Sequence, residues 1–208
     1  MPHKRRKSHK IRNALIATVA LVIFISVVVA ANQMNNGPPA KSPTSTPPAS
    51  SSPTKILLET SMGNITIQLY SEMPITSGNF KNLTEHGVYD GTLFSRVSKG
   101  FVIQGGDATP KGLTVPPIRD ELPNVHRNVR GSVAMAKTNS PNSATSQFFI
   151  NLEDNSASLD SNYSVFGIVI AGMNVVDQIG QVPIIPQLSQ TDGKPVQDIT
   201  IVRATIVG

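Results

Sequence analysis

The chain has 208 residues, enough for one ordinary domain with extra segments, and no cysteine, which excludes disulfides and thiolate chemistry. Its net charge of +5 is not a property of the whole molecule: residues 1–54 hold seven of the 18 Lys and Arg and no acidic residue, leaving 11 basic against 13 acidic residues, a balance of −2, for residues 55–208. That balance removes the charge argument for a nucleic-acid partner, because the basic character belongs to the N-terminal tail alone.

In chain order, residues 1–13 form a basic tail carrying Lys4, Arg5, Arg6, Lys7, Lys10 and Arg12. Residues 14–31 then run 18 positions without a charge, rich in Val, Ile, Leu and Ala, and apolar on every side. That length lies within the ~17–25 residues needed for a transmembrane helix. Basic residues ahead of such a span favour a cytoplasmic N-terminus. The segment is therefore predicted to be a signal-anchor, giving a single-pass protein of the cell membrane with its C-terminal part outside. The alternative is a cleaved signal peptide, whose apolar region is usually ~7–15 residues. The small residues Val29-Ala30-Ala31 would suit cleavage and leave a secreted form. Residues 32–54 turn to Pro, Ser, Thr, Ala and Asn, a composition that reads as a disordered, semi-stiff stalk.

Residues 55–208 are predicted to be the folded domain. Ile56–Thr60 and Ile65–Tyr70 read as a hairpin around Ser61-Met62-Gly63-Asn64, the return strand alternating apolar and polar. Pro74 opens a helix with Thr76 or Ser77 as cap and Gly87 as terminator, its Phe80 and Leu83 sharing one face. Asp90-Gly91 turns the chain into a strand at Leu93–Val97, and Gly105-Gly106 marks a tight corner after the next strand. Residues 115–128, with three prolines, read as a surface loop. Val133–Lys137 and Gln147–Leu152 are predicted strands; period two puts Gln147, Phe149 and Asn151 on one face of the second and Phe148, Ile150 and Leu152 on the other. A continuous apolar strand at Val165–Ile170, a short helix at Met173–Gly180 and a final strand at Ile199–Ile206 complete the chain. The pattern alone specifies a β-rich domain, barrel or sandwich.

Two stretches stand out. In the first, Arg96 lies between Phe94 and Val97, followed by Gly100-Phe101-Val102-Ile103-Gln104-Gly105-Gly106-Asp107; an arginine among apolar strand residues is costly unless its guanidinium serves a surface or cleft. The second runs Met135-Ala136-Lys137, then Asn142-Ser143-Ala144-Thr145-Ser146-Gln147-Phe148-Phe149-Ile150. Long, ordered and in sequence, they resemble the cyclophilin family of peptidyl-prolyl cis-trans isomerases, and the resemblance covers residues 55–208. It implies a mainly β fold, a closed eight-stranded antiparallel barrel capped by two short α-helices, with the site on the barrel's outer face. It implies rotation of X–Pro bonds in polypeptides, with no covalent intermediate, cofactor or metal; the chain itself is expected to be a monomer.

By that resemblance Arg96 is the catalytic arginine and Gln104 the glutamine that orients it and bonds the substrate backbone. Phe101, Val102, Phe149 and Leu159 match the wall of the proline pocket. Ala136 and Lys137 match the strand edge that pairs with the peptide, and Gln147 and Tyr163 match further groove positions. Strict alternation sets Phe101 and Gln104 on opposite faces, so both reach the groove only if the chain bends near Gly100. The chain departs from the best-known family pattern at Ser158, Tyr163, Lys137 and Val102, which stand where other members carry Trp or Phe, His, Asn and Met. A shallower rim without an indole donor implies weak cyclosporin binding. Asn64, Asn82 and Asn162 each begin a glycan acceptor triplet, as would suit an external domain.

Competing readings are a non-catalytic proline-peptide binding module or holdase on the same fold, and an envelope-structural protein. A Ser/His/Asp hydrolase has little support, since the domain offers only His86 and His126 and no nucleophile motif near either.

Overall fold

A computed structural model describes residues 53–208. The predicted tail (1–13), membrane helix (14–31) and all of the linker before Pro53 lie outside the described residues; among the described residues no helix is long and apolar enough to cross a membrane.

Strands β1 (Lys55–Thr60) and β2 (Gly63–Leu69) form the predicted hairpin, pairing Leu58 with Ile65, and alternation buries Ile56, Leu58, Ile65 and Ile67 completely. Leu69 N–H also donates to Thr54 O (2.9 Å), so regular pairing reaches one residue into the expected linker.

Helix α1 spans Pro74–Glu85 and ends before Gly87, as expected, but its cap differs from the prediction. Met73 holds the cap position without a side-chain bond, and Thr76 and Ser77 lie inside the first turn. Pro74 occupies the first helical position, where its missing N–H costs nothing. The next donors, Ile75 N–H and Thr76 N–H, go to the carboxylate of Glu121 (3.1 and 2.7 Å), supplied from the loop that the sequence marks only as surface.

The predicted strand at 93–97 is two strands, β3 (Thr92–Leu93) and β4 (Arg96–Ser98), because the run changes neighbours. Then follow β5 (Val102–Gly105), β6 (Ser132–Met135), β7 (Phe148–Asn151), the one-turn helix α2 (Ser156–Leu159), β8 (Val165–Ala171), helix α3 (Met173–Gln181), β9 (Ile184–Ser189), β10 (Asp192–Pro195) and β11 (Thr200–Ile206). All pair antiparallel in one curled sheet, ordered β3-β11-β1-β2-β8-β6-β7-β5-β4-β10-β9. The described strands number 11 against the eight expected. Part of the excess is the division at Phe94, and part is the β9–β10 hairpin, whose first strand is almost wholly exposed and carries Pro186 at the sheet edge. Helix α2 adds a third helix to the two expected.

The division at Phe94 explains the double glycine. A Cβ on Gly105 would fall 2.7 Å from Leu93 O, and Gly106 (φ +80°) lies against the rings of Phe148 and Tyr89. Any larger residue would push β5 away from the point where β3 gives way to β4.

The sheet separates two apolar clusters. The larger, inside, gathers α1, α3 and the inward strand residues around Phe80, whose ring lies 4.8–5.2 Å from those of Tyr89, Phe166 and Phe148. Val175, Val176 and Ile179 are the buried stripe of α3. The smaller cluster lies on the outer face and comprises Val102, Ala134, Phe149, Leu159 and Val165, with Phe101, Ala136, Tyr70 and Tyr163 packed against it. Neighbouring residues of β7 divide as alternation requires, Phe148 and Ile150 inward and Phe149 outward.

Candidate active site

Register builds the site. Across four adjacent strands Arg96 pairs with Gln104, Gln104 with Phe149 and Phe149 with Ala134, so these residues form one row on the sheet. In the neighbouring row Ser98 pairs with Val102. A pocket of about 140 Å³ opens over these rows. Phe101, Val102, Phe149, Leu159 and Tyr163 line its apolar side, Arg96 and Gln104 its polar side, and Ala136 and Lys137 its far edge. Gln147 lines an adjoining pocket of about 160 Å³ with Gln104, Ala136 and Lys137. All ten residues singled out from the sequence therefore meet at one groove.

The conflict over Phe101 and Gln104 resolves at Gly100. Gly100 (φ +69°) turns the chain, Phe101 N–H donates back to Ser98 O (3.0 Å), and Phe101 falls just before β5 rather than within it. Val102 and Gln104 then share the outer face by alternation.

Arg96 is held on two sides. Its Nε donates to Asp192 Oδ1 (2.9 Å) and its Nη2 to Asp192 Oδ2 (2.6 Å), a bidentate pair, while Nη1 donates to Gln104 Oε1 (3.1 Å). The Gln104 amide nitrogen donates on to Gln147 Oε1 (2.8 Å), so the chain Asp192–Arg96–Gln104–Gln147 runs along the groove wall. Hydrogen bonds from Arg96 and then Ser98 hold the Asp192 carboxyl below its usual value, outweighing the opposite effect of burial. Three of the five guanidinium N–H donors are thus engaged among the described residues, leaving two for a bound peptide.

The apolar walls are fastened from behind. Phe101 O accepts from Leu152 N–H (2.9 Å) and from Asn155 Nδ2 (2.9 Å). Asn155 also bonds Asn151 Oδ1 (2.8 Å), and fully buried Asn151 reaches Ser132 Oγ (3.0 Å). Leu159 N–H donates to Asn155 O and Tyr163 N–H to Leu159 O (both 3.0 Å), which stacks the two side chains on one side of the α2 turn. The Tyr163 ring meets Phe149 edge-on, centroids 5.4 Å apart at 83°.

Two expected site residues are placed with a restriction. Lys137 Nζ is bound to Asp120 (2.5 Å) in a pair about nine-tenths buried, so it brings a neutralised rather than a free cation to the edge. Ala136 N–H is engaged by Gln147 O (2.9 Å). Ser158 is exposed with its hydroxyl turned back to Asn155 O (3.0 Å), which leaves the rim there without a donor directed at the groove.

Sequence reasoning missed Asp192 and Asn155. Asp192-Gly193 reads as a turn signal, and nothing in its spacing ties it to an arginine 96 positions earlier. Asn155 lies in a polar run whose one helical turn is too short to leave a periodic trace.

Residues 55–206 match the family described as cyclophilin type peptidyl-prolyl cis-trans isomerase/CLD. A peptidyl-prolyl cis-trans isomerase of Acinetobacter baylyi is 45% identical over 138 residues, covering 62% of this chain and 73% of the relative. A Streptomyces antibioticus peptidyl-prolyl cis-trans isomerase is 44% identical over 162 residues, covering 73% of this chain and 97% of the relative. Among solved structures, a Cryptosporidium parvum cyclophilin type peptidyl-prolyl cis-trans isomerase, determined in the presence of the dipeptide Ala-Pro, superimposes with a TM-score of 0.65 at 28% identity, over 74% of this chain and 99% of that one. Family match, relatives and fold agree with a groove whose polar wall is an oriented arginine, and the chain belongs to the cyclophilin-type peptidyl-prolyl cis-trans isomerases, an enzyme family.

Proposed function

We propose that the pocket between Phe101, Phe149 and Leu159 receives the prolyl ring of a polypeptide and that Arg96 catalyses rotation about the preceding peptide bond. The barrier to that rotation is the partial double-bond character of the amide, ~18–20 kcal/mol, and the uncatalysed reaction takes tens to hundreds of seconds. When the bond twists, conjugation is lost and the prolyl nitrogen becomes pyramidal and basic. A cationic donor on that side favours the twisted state over either planar isomer. An acceleration of about 10⁵ needs roughly 7 kcal/mol of such preference. A single charge-assisted hydrogen bond supplies part of it, and anchoring of the ring and the flanking backbone supplies the rest.

In this reading Gln104 orients Arg96 and bonds the substrate backbone. Phe101, Val102, Phe149, Leu159 and Tyr163 hold the ring, while Ala136, Lys137 and Gln147 hold the peptide upstream. The observation that carries it is the row Arg96–Gln104–Phe149, which brings an arginine with two N–H donors uncommitted among the described residues to the edge of an apolar slot. The test is a coupled isomerisation assay on an Ala-Pro peptide with the full chain, wild type beside Arg96→Ala. Turnover should fall by at least about 100-fold while peptide binding persists; unchanged turnover refutes the mechanism, and binding without turnover in the wild type favours a holdase.

The uncharged segment 14–31, preceded by basic residues, supports a single-pass membrane anchor with the isomerase domain outside the cell, acting on exported polypeptides as they fold. The reading includes a monomer whose curled sheet closes as an eight-stranded barrel. Membrane fractionation and protease treatment of intact cells test the placement: the domain should sediment with membranes and be cleaved from outside, and a cytosolic, protected domain would exclude it.

A further inference from the structure

We infer that Asp192 is a positioning residue for the reaction: its carboxylate fixes the guanidinium of Arg96 in the one orientation that presents the two remaining N–H donors to the prolyl amide. The inference rests on the assignment of Arg96 made above and adds a residue from a distant element to it. Asp192 starts β10, which reaches the groove through its pairing with β4, Asp192 opposite Ser98 and Gly193 opposite Val97. That short ladder brings the carboxylate to the side of the guanidinium away from Gln104, so Arg96 is gripped from opposite sides by Asp192 and Gln104.

Arginine is a long side chain with up to ~2 kcal/mol of rotamer entropy, and a single bond donated to Gln104 leaves its plane free to swing. Two parallel bonds donated to a carboxylate fix both the plane and the direction of the fork. Asp192 is nearly buried, 8% exposed at the side chain against 29% for Arg96, so the carboxylate is the inner partner of the pair and the guanidinium the more open one. A carboxylate partner diminishes the positive charge that the reacting nitrogen feels. The arrangement therefore sacrifices field strength for orientation, which is favourable where a misplacement of about 1 Å costs on the order of 100-fold in rate.

The experiment compares the full-length chain as wild type, Asp192→Asn, Asp192→Ala and Arg96→Ala, recording kcat, KM and thermal midpoint, with sodium formate or sodium chloride added at equal ionic strength. Asp192→Ala should lose about 10- to 100-fold in kcat with KM little changed. Asp192→Asn, which keeps one acceptor in place, should retain more activity than Asp192→Ala. Formate, a free carboxylate able to enter the vacated space, should restore kcat to Asp192→Ala while chloride does not. The surface pair Arg130–Asp177 is the control, and Asp177→Asn should leave kcat unchanged. Wild-type kcat in both Asp192 variants while Arg96→Ala is inactive overturns this inference alone. An active Arg96→Ala overturns the assignment beneath it. Loss of kcat in step with the thermal midpoint, without rescue by formate, makes Asp192 merely structural and also overturns the inference; should Asp192→Ala not fold, the same reading is taken from kcat against midpoint in Asp192→Asn.

Discussion

The Glu121 carboxylate caps a helix 45 residues away from it in sequence, accepting from Thr76 N–H (2.7 Å) and Thr76 Oγ1 (2.6 Å) while its other oxygen takes Ile75 N–H. A negative group at a helix N-terminus satisfies otherwise unpaired donors and suits the helix dipole. Glu121→Ala should therefore destabilise the domain by about 1–2 kcal/mol. Denaturant midpoints measure this, and kcat on a proline peptide should stay within the assay's scatter because Glu121 does not line the groove.

Gln104 joins Arg96 to Gln147, so its loss should be felt along the whole polar wall. Gln104→Ala should lower kcat/KM by about 10-fold, the cost of roughly one hydrogen bond to a charged group. Gln147→Ala breaks only the outer link and should have the smaller effect. Equal effects from both would place the peptide's main anchor on Gln147 instead.

Tyr163 contributes an edge-on ring contact to Phe149 rather than a polar group. Such pairs are worth about 0.5–1.5 kcal/mol. Tyr163→Phe should leave turnover near wild type, and Tyr163→Ala should weaken peptide affinity by about 2- to 10-fold, read by titration of a non-turnover proline peptide.

The Asp192–Arg96 pair makes a pH prediction whose sign is fixed. Asp192 titrates below its ordinary value of 3.8, chiefly through its bonds from Arg96, so its contribution to stability is fully present above that value. It is lost as the pH falls through the lower folded-state value. The stability difference between wild type and Asp192→Asn should be constant from neutral pH to about pH 5 and should shrink towards about pH 2. A difference that grows on acidification would contradict the ionised pair.

Ser158 turns its hydroxyl away from the groove. Cyclosporin should accordingly inhibit the enzyme weakly; inhibition at nanomolar concentration would overturn that expectation.

The legible parts of the fold were those with a local period. The hairpin of β1 and β2, the division of β7 between Phe148 and Phe149, and the buried stripe of α3 follow from alternation and helical spacing, which act over a few residues. The groove residues were legible by another route, since the two long motifs carry them as ordered blocks. Asp192, Glu121 and Asn155 were not legible, for one reason: each is a polar side chain whose partner lies 96, 45 or 54 positions away, a pairing that exists only once the sheet has set its register. The β9–β10 hairpin was hidden because an exposed edge strand buries almost nothing and so needs no apolar pattern.

The amides of Asn151 and Asn155 tie the backbone of Phe101 and the turn bearing Leu159 to the rear of the sheet. Exposed positions around the mouth, Ser158 among them, bear little of that framework. Drift at the mouth can thus retune which proline-containing chains are preferred without unsettling the floor beneath, and a lineage could diversify its clientele at small risk to folding.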